Sequence, residues 1–165
     1  MSSPLFLKTI HALLTGLGID AAATANSEGD FYTLVISALN IDLLETTPDA
    51  LTLLCFAGTL AQPTLQATTM LLSVNRFQKD DPPINVSLVD VQPARVLLWS
   101  RMSLIGASAD KIDDWFVRFV EMARATQQWV DAGTPPDSDT VGAGASGKAP
   151  ANAMQQALIA QRQRA

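Results

Sequence analysis

Histidine, cysteine and tyrosine each occur once in these 165 residues, as His11, Cys55 and Tyr32. A zinc site needs a cluster of three or four ligands, which one histidine and one cysteine do not supply. No Ser-His-Asp arrangement is visible beyond chance, and the lone histidine falls on the flank of a helical stripe. A single thiol excludes an internal disulfide and suits a reducing compartment, so a cytoplasmic location is expected. Cys55 stands in the apolar string Leu53-Leu54-Cys55-Phe56, the setting of a buried structural thiol. Charged residues make up only 16% of the chain, yet no apolar run approaches the roughly 20 residues of a membrane span. Leu5-Phe6-Leu7 and Ala21-Ala22-Ala23 imitate parts of a signal peptide, but Lys8 lies inside the apolar stretch rather than ahead of it. That stretch also has helical periodicity and reads as a mature helix.

What is present is apolar and acidic. Hydrophobic residues make up 48% and the net charge is −5. Residues 1–131 carry eight basic against fourteen acidic side chains, and the tail from 132 carries three against two. An acidic body repels phosphate backbones and anionic lipid, so neither nucleic acid nor a membrane is expected as a partner. A neutral or basic protein surface suits it.

The residues order themselves into alternating elements. Ser3 can cap a helix with Pro4 in its first turn, and Phe6, Ile10, Leu13, Leu14 and Leu17 form one stripe that stops at Gly18. Leu5 and Leu7 fall beside the stripe. After the turn cluster 26–30, Phe31 to Ala38 has bulky side chains on both faces. Leu39, Ile41 and Leu43 alternate with Asn40 and Asp42, and Leu51 to Phe56 reads as a central strand. Their short connections require an antiparallel meander. Pro63 opens a short apolar helix with Leu65, Met70, Leu71 and Leu72, which closes on Val74-Asn75-Arg76-Phe77. Two strands follow, Ile84–Val89 and Val96–Trp99, joined by a hairpin over 90–93. A long amphipathic helix then runs from about Asp110 to Val130, with Ile112, Trp115, Phe116, Phe119, Val120 and Ala123 on its apolar stripe. The three tryptophans, Trp99, Trp115 and Trp129, read as core anchors. The fold class is α+β: an antiparallel sheet of about five strands flanked by three helices, in the order α-β-β-β-α-β-β-α. The domain covers 1–132. A Gly/Pro/Ser-rich linker covers 133–150, and 151–165 is a tail that can form a short helix.

One constellation imitates chemistry. Gly142-Ala143-Gly144-Ala145-Ser146-Gly147-Lys148-Ala149 nearly spells a phosphate-binding loop. That loop needs a hydrophobic strand before it and a hydroxyl after the lysine to hold magnesium; here the hydroxyl position is Ala149 and only Thr140-Val141 precedes the glycines. Asp80-Asp81 and Asp113-Asp114 are adjacent pairs whose side chains diverge, poor material for an acid/base dyad. No cofactor, metal or catalytic residue is expected, and the chain is not expected to be an enzyme.

The element order, the acidity, and the leucines that precede an asparagine at the end of the middle helix resemble the small chaperones of bacterial type III secretion. The class I members, the Tir-chaperone or SycE-like family, look most similar. The resemblance covers residues 3 to about 131 and leaves the tail unexplained. It implies a homodimer that binds the N-terminal segment of a secreted effector, keeps it extended and secretion-competent, prevents premature aggregation, and helps present it to the export ATPase. For the dimer seam it points to the middle helix and the strand after it, with Leu65, Met70, Leu72, Val86 and Leu88 as candidates. Excess apolar side chains on the first helix and the first strand point to effector contacts at Leu5, Leu14, Phe31, Val35 and Leu44. The alternative is a non-catalytic regulatory or adaptor protein of the same fold that holds one folded partner.

Overall fold

The computed structural model describes residues 2–19, 31–60, 63–75, 81–90 and 93–132. The turn cluster 26–30, the hairpin tip 91–92, the imitation phosphate loop and the whole tail from 133 lie outside the described residues.

The first helix, α1, spans Pro4–Gly16. The Ser3 side chain accepts a hydrogen bond from the Phe6 N–H at 3.2 Å and so caps it. Three strands follow: β1 (Phe31–Ile36), β2 (Leu39–Thr47) and β3 (Ala50–Leu60). Helix α2 (Leu65–Ser73) is capped by Thr64, one residue past Pro63. Strands β4 (Ile84–Val89) and β5 (Ala94–Ser103) lead to the long helix α3 (Ala109–Ala132). All pairings are antiparallel, and the five strands lie in the order β1-β2-β3-β5-β4.

Strands β3 and β5 extend well past the apolar runs that mark them in sequence. Their pairing continues from Ala50↔Ser103 to Leu60↔Ala94, across a bulge between Phe56 and Gly58. Polar ends such as Thr59 and Arg95 join the ladder because backbone pairing does not require apolar side chains. The two turns of the meander use left-handed residues. Ser37 and Ala38 have φ of 51° and 67°, and Asp49 has φ of 58°. Two successive positive φ values are what a two-residue hairpin matched to strand twist requires. Ser-Ala is a costly choice for such a turn, because Cβ crowds the carbonyl there.

One face of the sheet builds the core. Tyr32, Leu34, Leu39, Ile41, Leu43, Leu51, Leu53, Cys55, Ala57, Val96 and Leu98 are buried against α1 and α3. Phe6 of α1 lies 6.4 Å from the Tyr32 ring, which places α1 on this face. Trp115 is fully buried, and its indole N–H donates to the Ser100 Oγ at 2.8 Å. Ser100 in turn donates to the Pro83 carbonyl at 2.6 Å, so this buried polar group is satisfied twice. The C-terminal end of α3 presses on β3 at Gly58. A Cβ there would stand 2.7 Å from Val130 Cγ1, and φ is 144°, so glycine is required on two counts.

Candidate functional site

The other face of the sheet is not covered by α1 or α3. Alternation along the strands turns Phe31, Thr33 and Val35 of β1 to this side, with Asp42 and Leu44 of β2. Thr52, Leu54 and Phe56 of β3 join them, with Arg95, Leu97, Trp99 and Arg101 of β5. The register arranges these residues in rows. Phe31 lies opposite Leu44, Leu44 opposite Thr52, and Thr52 opposite Arg101. The next row runs Thr33, Asp42, Leu54, Trp99, Asn85. Phe56, Leu97 and Ser87 form a third.

The apolar side chains on this face remain open to solvent. Val35 is 60% exposed, Phe56 47% and Trp99 37%. Polar neighbours hold the surface in shape. Thr33 donates to Asp42 at 2.7 Å, and the Trp99 indole N–H donates to the Ser87 Oγ at 3.0 Å. The Arg95 guanidinium sits 4.7 Å from the centre of the Phe56 ring and pairs with Asp90 at 2.9 Å. A cation over an aromatic face adds a modest attraction and leaves most of the ring's perimeter available.

The structure separates the expected effector contacts. Phe31, Leu44 and Val35 share the uncovered face, the first two directly opposite each other. Leu14 is fully buried, so its side chain belongs to the core and is removed from any surface patch. Leu5 is half-buried on α1, which covers the opposite face of the sheet; it can join the others only around the β1 edge. The expected dimer residues divide in the same way. Leu65 is 84% exposed, and Met70 and Leu72 are also exposed on α2, whose one buried residue is Leu71. Leu88 is half-buried. Val86 is buried, its side chain turned into the core by the pleat.

Phe56 and Trp99 were hidden from sequence reasoning. Trp99 stands in a strand that is apolar on both faces, where period two marks no outer side. It is not the core anchor expected of it, whereas Trp115 and Trp129 are. The available signal was the polar company on Trp99's own face, Arg95 and Arg101.

Two titratable groups are shaped by the fold. Burial alone would push the Glu45 carboxyl up. Hydrogen bonds from the Ser3 side chain, the Ser3 N–H at 2.6 Å and the Asp49 N–H at 2.9 Å outweigh it and hold the carboxyl below its ordinary range. This carboxylate ties the start of α1 to the β2–β3 turn. Burial, with the Asp42 charge as a lesser cause, pushes the Cys55 thiol up to about 11, so it stays a neutral core group.

Among the described residues, no group of three or more His, Cys, Asp or Glu side chains could hold a metal ion, and no helix is long and apolar enough to cross a membrane. A shallow hollow of about 270 Å³ lies between Asp81, Arg101, Ile105 and Lys111, but the ammonium of Lys111 already pairs with Asp81 at 3.1 Å.

No protein-family model and no curated protein sequence matches this chain. Its fold is nevertheless shared with solved structures. A chain of the ExoT–SpcS complex from Pseudomonas aeruginosa superposes with a TM-score of 0.56 at 24% identity, over 73% of this chain and 96% of that one. A chain of the Yersinia pestis type III secretion chaperone SycH in complex with a stable fragment of YscM2 gives 0.56 at 20% identity, over 72% and 96%. YbjN of E. coli, provisionally described as a transcription regulator, gives 0.55 at 15% identity, over 77% and 92%. The α+β fold of three helices on a five-stranded antiparallel sheet is therefore that of type III secretion chaperone structures, and it is not confined to them.

Proposed function

We propose that this chain is a cytoplasmic type III secretion chaperone of the class I, SycE-like kind, which binds the N-terminal segment of one or more secreted effectors. The observation that carries the reading is the uncovered sheet face, where Val35 stays exposed on the β1 edge and Phe56 and Trp99 on the inner strands β3 and β5. The fold shared with chaperone complexes supports it. An extended segment can add a strand at a sheet edge and set alternate side chains into neighbouring apolar grooves. Phe31 and Leu44, opposite each other, offer the first such groove and Val35 the next, with Leu5 reached around the edge. A chain held in this way is kept extended and is shielded from aggregation until the export ATPase receives it.

The working unit in this reading is a homodimer. Leu65, Met70 and Leu72 on α2, with Leu88 on β4, supply the apolar surface, and a stable seam needs about 800 Å² from each partner. The deciding experiment is affinity capture of the full chain from bacteria that express a type III system, followed by truncation of the captured protein. Capture through an unfolded N-terminal segment supports the reading. Capture of a folded domain, with the N-terminal segment dispensable, would replace it by the adaptor function.

A further inference from the structure

Edge strands need explicit protection from unwanted pairing, because each carries a row of unsatisfied N–H and C=O groups. Among the described residues this sheet has two edges, β1 and β4. At β4 the protection is a side chain. The Asn75 Oδ1 accepts from the Val86 N–H at 2.7 Å, and the Asn75 Nδ2 donates to the Val86 carbonyl at 2.8 Å. Both backbone groups of Val86 therefore face away from β5, so Val86↔Leu98 is a pair without mutual hydrogen bonds. One amide, donor and acceptor together, reproduces what a neighbouring strand would offer at that residue. The orientation of the amide is fixed by its partners, since the reverse orientation would oppose two donors and two acceptors.

We propose that Asn75 is an edge plug: it occupies the strand-pairing groups of Val86, bars strand addition at β4, and pins the end of α2 to the sheet. Helix α2 has little else to hold it, being nine residues long with Leu71 as its one buried side chain. Nine residues are too few for a helix to persist without tertiary support. The proposal touches the functional reading at one point: with β4 closed, an extended segment is left the β1 edge. The test contains no cargo, so its failure is distinct from failure of that reading.

The test is residue-resolved amide hydrogen exchange on the full chain, with light scattering on the same samples. In Asn75→Ala, the Val86 amide exchanges about tenfold faster or more, as loss of one half-buried hydrogen bond implies. The Asn85 and Ser87 amides, on the β5-facing side of the strand, keep their rates. Asn75→Asp retains the acceptor, so its Val86 amide stays slow. Asn75→Ala also forms species heavier than the unsubstituted chain at equal concentration. Unchanged Val86 exchange in Asn75→Ala, fast exchange in Asn75→Asp, or absence of heavier species would each overturn the plug.

Discussion

The two faces of the sheet are built from similar residues and used differently. Trp115 and Trp99 make the contrast plain. Trp115 is sealed on the inner side, its indole N–H held by a buried serine. Trp99, on the strand that supplies that serine, is more than one-third exposed, and its N–H reaches a surface serine. The difference lies in what covers each face: α1 and α3 enclose one side, and no described helix spans the other. Hydrophobicity thus tells where apolar groups are, whereas the layer above decides whether they stabilise the fold or remain available to a partner.

The largest effect that sharpens this contrast is on the inner face. Trp115→Ala should cost about 3–5 kcal/mol of stability, as cavity-forming aromatic deletions do. Trp99→Ala should cost clearly less, because more than a third of its surface already faces water and no sealed cavity is left behind. Paired denaturant titrations check both, and equal losses would erase the distinction between the faces. Gly58→Ala comes next. The Val130 contact and the positive φ together imply a loss of about 1–3 kcal/mol, read as a lower denaturation midpoint.

Acid provides a smaller lever. The Glu45 carboxyl titrates lower in the folded chain than in the unfolded one. Its contribution is therefore present above the unfolded value and is lost as pH falls through the folded one. Exchange of the α1 amides should quicken over that acid range, and Glu45→Gln should flatten the dependence. Smallest of all should be removal of the tail. Residues 134–150 have too few apolar groups to offset their ordering entropy, so truncation at Gly133 should leave the Tm within a few degrees. A large drop would mean that Met154 and Leu158 dock on the body.

Much of the architecture was legible because it rests on periodicity. The stripe Phe6, Ile10, Leu13, Leu14 predicts the buried side of α1, and the α3 stripe holds from Ile112 to Ala123. Strand order within the meander follows from short connections. Three features were not legible. The Ser37-Ala38 turn contains none of the residues that mark left-handed turns. The length of β3 and β5 depends on backbone pairing across polar residues. The outer face of β3 and β5 is invisible when both faces are apolar, so the exposure of Phe56 and Trp99 did not stand out. Among the expected contacts, Leu14 already stood on the stripe that predicts the buried side of α1, whereas Val86 sits in a short apolar strand whose inner side is not marked until the covering element is placed. The asparagine that follows the α2 leucines was visible as a pattern, but its bonds to Val86 depend on a strand eleven residues away.

The most direct test of the central claim concerns cargo on the uncovered face. Val35→Glu places a charge at the most exposed apolar position of that face. The variant and the unsubstituted chain should be compared by quantitative capture of the effector N-terminal segment, with circular dichroism and light scattering on the same preparations. Loss of capture with spectrum and oligomeric mass unchanged is the expected result, and Leu5→Glu should behave alike if the segment rounds the β1 edge. Undiminished capture by a folded Val35→Glu chain would contradict the claim and place the binding surface elsewhere.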